Sequence, residues 1–354
     1  MTDSFPHSTL PETDVWRQTV QWLSAGQPVA IATVVDTWGS APVPLGGQMA
    51  IASEDSFQGS VSGGCVETDV ITEALTTLQT GKTQLLSFGV EDETAWRAGL
   101  PCGGRIEILV ERLAPPDDLG FAERMASSAT RRQPLLIETN LASGHRKIHE
   151  FGDAIPDELN NLFQLGRSRR IKTEEADRFI LAVKPPPRII IIGATHIAQA
   201  LVAHLGIIKT APIIVDPRES FASRARFGET PIINQWPGDA FADLQLDQFT
   251  AVVALSHVAN IDDEALTLAL RSKTGYVGAL GSRRNHAKRC ERLLQAGFSD
   301  DDLARIKCPI GLDIGAVTPE EIALSIAAEV LLAFRQPKRA TSEPLQPVIA
   351  EAKL

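Results

Sequence analysis

From Arg188 onward, short, continuously apolar runs alternate with amphipathic stretches, and this alternation limits the fold more than any other feature of the chain. Strands are expected at Arg188–Ile192, Pro212–Val215, Thr230–Ile233, Ala251–Leu255 and Gly275–Ala279. Helices are expected at His196–Leu205, Asp262–Arg271, Arg283–Ala296 and Pro319–Phe334. A strand without a polar side must be covered on both faces, so this half predicts a parallel sheet between helices. The first strand runs into Gly193-Ala-Thr195-His196, and Asp216 ends the second. A glycine turn opening a helix, then an acid after the next strand, is the Rossmann arrangement. It sets phosphate on a helix N-terminus and a carboxylate on ribose hydroxyls. Where a dinucleotide fingerprint has its second glycine, this chain has Thr195. Its branched side chain crowds the pyrophosphate path, although its hydroxyl can bond a phosphate. A Rossmann domain that binds nucleotide and one that binds none both remain open.

Further loops fall on the same side of such a sheet. Ser256-His257 follows one strand, and Gly281-Ser282-Arg283-Arg284 follows another. Ser282 can cap the helix it opens, and the two arginines add charge at a positive dipole end. This is either an anion cradle or a cap with two solvated arginines. His196 either meets a phosphate or is solvated. Asp313, in the glycine-rich run Cys308–Ala316, either contacts a ligand or holds a turn.

Residues 1–113 predict a mixed α/β domain. Helical spacing covers Asp14–Ala25 and Val66–Leu78, with strands at Pro28–Val35, Gln48–Ala52, Phe57–Val61, Gln84–Phe88 and Arg105–Val110. Two loops pair cysteine with glycine, Ser62-Gly63-Gly64-Cys65 and Cys102-Gly103-Gly104. Backbone amides between a strand and a helix can bind an anion or stabilise a thiolate. Two thiols suit a soft metal or a sulfur-transfer step, so Cys65 and Cys102 are the candidate metal ligands. Either can equally be a small buried filler.

Residues 114–187 are expected to connect the two domains, ending in the stiff Pro185-Pro186-Pro187. A helix, strands at Leu135–Glu138 and Phe179–Val183, and a solvated basic turn at Arg167–Arg170 are expected there. The Rossmann-like domain spans 188–336, and the polar tail 337–354 is expected to be mobile.

Composition removes several functions. A net charge of −10 argues against nucleic-acid binding, which needs a basic surface. No apolar run reaches the ~18–20 residues that span a bilayer. The N-terminus lacks a basic segment followed by an apolar one, so the expectation is a cytoplasmic protein without membrane partners. The four cysteines, Cys65, Cys102, Cys290 and Cys308, form neither a CxxC pair nor a disulfide framework.

Several longer motifs, in order, carry a resemblance. Val34-Val-Asp-Thr-Trp-Gly-Ser-Ala-Pro42, Gly59-Ser-Val-Ser-Gly-Gly-Cys-Val-Glu67 and Cys102-Gly-Gly104 lie in the first half. Pro185-Pro-Pro-Arg-Ile-Ile-Ile-Ile-Gly-Ala194, Val215-Asp-Pro-Arg218, Gly275–Arg284 and Cys308-Pro-Ile-Gly-Leu-Asp-Ile-Gly-Ala316 lie in the second. Together they resemble the XdhC/CoxI family of xanthine dehydrogenase accessory proteins. The chain departs from that pattern at Thr195, where glycine is usual, and at Val258-Ala259-Asn260, where an Asp-Pro-Lys type run is usual.

The resemblance implies a chaperone that binds molybdenum cofactor, with or without its dinucleotide extension. Such a chaperone supports sulfuration of the cofactor and hands it to an apo molybdoenzyme of the xanthine dehydrogenase family. A cysteine desulfurase is the implied sulfur donor, and a homodimer the expected assembly. Cys65 and Cys102 would suit the metal; the helix N-termini, Arg283 and Arg284 would suit the anionic part. Two other readings stand beside this one. One is an NAD(P)-dependent oxidoreductase with His257 as acid/base. The other is a scaffold that binds a molybdoenzyme without touching its cofactor.

Overall fold

The computed structural model describes residues 11–39, 42–89, 104–150 and 152–335. Cys102, Gly103 and the tail 337–354 lie outside the described residues. Contacts divide the chain into two compact units that part between Pro186 and Pro187.

The first unit contains α1 (Pro11–Ser24), β1 (Val29–Trp38), β2 (Gln48–Ser53), β3 (Ser56–Gly59), α2 (Glu67–Thr80), β4 (Gln84–Phe88) and β5 (Arg105–Leu113). It continues with α3 (Leu119–Arg131), β6 (Leu135–Asn140), β7 (Arg146–Glu150), α4 (Asp157–Leu165), β8 (Arg169–Lys172) and β9 (Asp177–Val183). An antiparallel sheet in the order β3-β2-β1-β5-β4 forms its centre. Alternation along β1 splits the packing in two. Ala30, Ala32 and Val34 face Val66, Val70 and Ala74 of the α2 segment. Val29, Ile31 and Val35 face α1 and α3, together with Ile137 and Phe179 from a second sheet.

That second sheet, in the order β7-β6-β9-β8, is built entirely from residues 135–183. Segment 114–186 therefore shares a core with what precedes it. Its basic stretch is a solvated turn only in part: Arg167 is exposed ahead of β8, whereas Arg169 and Arg170 begin that strand. Arg170 is largely buried and bonds Asp177 Oδ2 at 2.6 Å and Glu107 Oε2 at 2.7 Å.

The second unit contains β10 (Arg188–Ile192), α5 (His196–Ile207), β11 (Pro212–Val215), α6 (Arg224–Phe227), β12 (Ile232–Ile233), α7 (Pro237–Leu244), β13 (Thr250–Ala254) and α8 (Ala259–Arg271). It ends with β14 (Tyr276–Ala279), α9 (Arg283–Gln295), α10 (Asp300–Leu303), β15 (Ile306–Lys307) and α11 (Pro319–Arg335). All strands pair in parallel, in the order β12-β11-β10-β13-β14-β15. This is the doubly wound Rossmann order, with its switch point between β10 and β13. Ile190 and Ile192 face one helix layer, and Ile189 and Ile191 face the other. The α/β fold class read from the sequence is the fold observed. Among the described residues, no helix is long and apolar enough to cross a membrane.

Candidate functional site

In the first unit the candidate residues share one turn, Ser60–Glu67, between β3 and α2. Gly63 and Gly64 adopt φ of +78° and +111°, a region open mainly to glycine, and both are exposed. The expected free amides are not free, because the turn closes on its own carboxylate. Glu67 Oε1 accepts from Ser60 Oγ at 2.6 Å, Ser62 N at 2.9 Å and Val61 N at 3.2 Å. Its Oε2 accepts from Ser62 Oγ at 2.5 Å and Gly64 N at 2.9 Å. Ser62 Oγ in turn accepts from Cys65 N at 3.0 Å and Val66 N at 2.9 Å. Burial would raise the Glu67 pKa, but the bonds from Ser60 and Ser62 overcome it and hold the carboxyl down at about 2.

An internal anion thus occupies the cradle. What the turn presents outward is the exposed Gly63-Gly64 pair beside the half-buried Cys65 thiol. Glu67 is the residue that sequence reasoning missed. The signal was two serines five and seven residues ahead of an acid at the start of a helix. Among the described residues, no group of three or more His, Cys, Asp or Glu could hold a metal ion.

In the second unit the candidates lie along the carboxyl edge of the parallel sheet. Gly193 has φ +98°, and a Cβ there would stand 2.4 Å from Ser256 Cα. The first turn therefore touches the Ser256-His257 loop across the switch point, and only glycine fits. Thr195 is the N-cap of α5, accepting from Ala198 N at 3.3 Å. His196 is exposed, and so is His257, which holds the left-handed φ of +60°.

Asp216 departs from its expected ribose-binding role. It is fully buried. Its Oδ1 accepts from Arg218 N at 3.0 Å and Nε at 2.8 Å. Its Oδ2 accepts from Arg218 Nη2 at 2.7 Å and Ala194 N at 2.8 Å. Two bonds to each oxygen fill a carboxylate's acceptor sites and leave none for a ribose diol. Burial alone would raise its pKa, but these bonds hold it below the usual carboxylate range. Arg226 completes the enclosure, donating to Ala194 O at 2.6 Å. Sequence reasoning missed Arg218, although its place two residues after the acid was visible.

A buried relay runs along the same edge. Ser256 Oγ donates to Asp262 Oδ1 at 2.7 Å, and Asp262 Oδ2 is 3.7 Å from Arg289 Nη2. Arg289 reaches Leu280 O at 3.4 Å and Cys308 Sγ at 3.8 Å, and Cys308 Sγ reaches Gly281 O at 3.7 Å. Above it, Ser282 caps α9 by accepting from Asn285 N at 3.3 Å. Arg283, Arg284 and Asp313 are exposed and bond no partner among the described residues. The fold thus joins Gly193, Thr195, Asp216 and His257 around one turn, and Gly281 and Ser282 beside Cys308.

Comparison with known proteins follows the same division. The model of the XdhC Rossmann domain matches residues 189–330, and that of the XdhC and CoxI family matches residues 22–89. A protein of Escherichia coli K12 named molybdenum cofactor insertion chaperone PaoD is 30% identical over 316 residues, covering 89% of this chain and 86% of its own. The chain belongs to the XdhC and CoxI family. A Bacillus subtilis 168 relative, named as a probable subunit of xanthine dehydrogenase, is 26% identical over 85% of this chain and 92% of its own. A crystal structure of a xanthine dehydrogenase from Bacillus halodurans matches with TM-score 0.69 at 24% identity. It covers 94% of this chain and 98% of that one, and shows a shared fold. The XdhC and CoxI match contains the turn closed by Glu67, and the XdhC Rossmann match contains the whole carboxyl edge.

Proposed function

We propose that this chain is an accessory chaperone, acting in the cytoplasm. In this reading it binds molybdenum cofactor, supports its sulfuration and inserts it into an apo molybdoenzyme of the xanthine dehydrogenase type. The observation that carries the reading is near full-length similarity to a relative named for cofactor insertion. A cysteine desulfurase is the sulfur donor in this reading, and a homodimer its assembly.

The residues supply compatible chemistry. Two arginines in the first turn of α9 oppose the helix dipole, so an anion arriving there relieves a local repulsion. Arg283 and Arg284 are therefore the proposed seat of the cofactor's phosphate. Exposed Asp313 offers an acceptor for the amide-type N–H groups of a pterin, and His196 and His257 offer further polar contacts. Cys65, with Cys102, is the proposed soft donor to the metal. Asp216 is left out of the contact set, because its carboxylate is already bonded. This favours recognition of the phosphate over recognition of a ribose diol.

The test mixes the full chain with molybdenum cofactor released anaerobically from a known molybdoenzyme. Molybdenum and pterin are then assayed in the protein peak after gel filtration. Near-stoichiometric molybdenum is expected for the wild type. Cys65→Ala and the double variant Arg283→Ala/Arg284→Ala are expected to lose most of it. Absence of molybdenum together with calorimetric binding of NAD⁺ or NADP⁺ would replace the chaperone by an oxidoreductase.

A further inference from the structure

The first unit holds an acid that neither the Cys65 turn nor the Rossmann edge uses. Glu111 lies on β5 in register with Leu109 and Leu113, facing the core shared by the two sheets. A cavity of about 20 Å³ opens there, lined by Glu111, Arg146 and the uncharged Trp16, Thr33, Gln48 and Thr139, with apolar walls. That space is enough for one water, which needs about 10–15 Å³. Trp16 Nε1 donates to Gln48 Oε1 at 2.8 Å, and Gln48 Nε2 donates to Thr33 Oγ1 at 3.1 Å. Glu111 Oε1 is buried and accepts no hydrogen bond.

Two carboxylates face one guanidinium. Arg146 Nε stands 3.8 Å from Glu111 Oε1, outside hydrogen-bond range. Arg146 Nη2 instead donates to Asp118 Oδ1 at 3.0 Å, and the guanidinium lies over the Phe121 ring at 4.5 Å. The other Asp118 oxygen accepts from Ala114 N at 2.8 Å, which fixes the turn between β5 and α3. Among the described residues, only β5 and β7 bring charged groups to the cavity wall; α1, α3, β1, β2, β6 and β9 bring uncharged ones. Burial pushes the Glu111 carboxyl up to about 7, with Arg146 opposing and Asp118 adding to the rise. A buried carboxylate ionises at the usual pH only when a cation compensates it, and here the cation is already taken.

We propose that Glu111 is a proton-operated latch in the first unit, closed while its carboxyl is neutral and Arg146 stays tied to Asp118. Ionisation sets Glu111 and Asp118 in competition for Arg146, draws water into the cavity and loosens the seam between the two sheets. The latch stands independently of the cofactor reading. A folded-state pKa raised above the unfolded value means that the folded chain binds the extra proton. The stability it contributes is full below pH 4.5 and is lost as pH rises through about 7.

The test follows thermal unfolding of the full chain from pH 5 to pH 9, for the wild type and Glu111→Gln. The wild type is expected to lose stability through neutrality. The variant, which cannot ionise, is expected to hold a flatter profile across that window. Parallel profiles would overturn the latch.

A second readout serves if the variant folds poorly: carboxyl-carbon NMR of the wild type labelled at glutamate. One resonance is expected to titrate near pH 7, a proton held roughly 300-fold more tightly than by a free glutamate. Arg146→Met is expected to move that midpoint higher still. Titration of every glutamate below pH 5.5 would overturn the proposal.

Discussion

Single residues decide what the candidate turns can and cannot bind. At Gly193, an alanine Cβ would fall 2.4 Å from the Ser256 backbone at a φ of +98°. Gly193→Ala is therefore expected to cost about 3 kcal/mol or more, read by chemical denaturation. Thr195 invites a different expectation. As the cap of α5 it is replaceable by glycine for a few tenths of a kcal/mol. Thr195→Gly would complete the glycine pattern of a dinucleotide turn, yet Asp216 would remain bonded to Arg218 and Ala194. Calorimetry is expected to show no NAD⁺ or NADP⁺ binding by that variant. Micromolar binding would mean that the threonine alone had blocked the site.

The sequence made the glycine turn, the Ser282 cap and the acid legible in their right places, but not that Thr195 caps α5. It did not show that Arg218 takes the acid, nor that Glu67 takes the amides of the Cys65 turn. Both partners are nearby in sequence, but a competing ligand would look the same in composition. Only the distances separate an occupied cradle from an open one.

At the scale of elements, apolar runs were readable and charged ones were not. After their first residues, the strands β10, β11 and β13 are built of Ile, Val and Ala, and their period and length leave little choice. β7 reads Arg-Lys-Ile-His-Glu and β8 reads Arg-Arg-Ile-Lys. Their β-propensity is weak, and each lies at an edge of its sheet, where charge is tolerated because it blocks further pairing. What holds β8 is an ion network invisible to patterning. Arg170 ties Asp177 of β9 to Glu107 of β5 and so joins the two sheets of the first unit. Arg170→Ala would strand two half-buried carboxylates, at a cost of about 2 kcal/mol. Thermal unfolding at pH 7 is expected to show that loss, and Arg170→Met, which keeps the length of the side chain without its charge, is expected to recover little of it. Full recovery by Arg170→Met would assign the role of Arg170 to packing instead.

Among the described residues, five apolar clusters share no residue: two lie on the two faces of the parallel sheet, and three between and beside the antiparallel sheets. The Pro185–Pro187 run marks the seam in the sequence, and the division falls within it. The two units also divide the response to acid. In the first unit, the Glu67 pKa is depressed from 4.5 to about 2 by the bonds that outweigh its burial. A depressed pKa means that the unfolded chain binds the extra proton. The stability it contributes is present above pH 4.5 and is lost as pH falls towards 2.

Asp216 does the same in the second unit, held down by Arg218 and Ala194 against its burial. Glu67→Gln would remove the charge while keeping much of the shape of the turn. It is expected to lower stability at neutral pH by about 1–2 kcal/mol, discounted because the group is half exposed to water. It is also expected to flatten the acid limb of the first unit's transition while leaving the second unit's limb in place. Amide exchange followed separately in β1 and β10 between pH 2.5 and 5 distinguishes the units. If both strands of Glu67→Gln lose their acid dependence together, the units unfold as one, and the separation of their cores carries no thermodynamic weight.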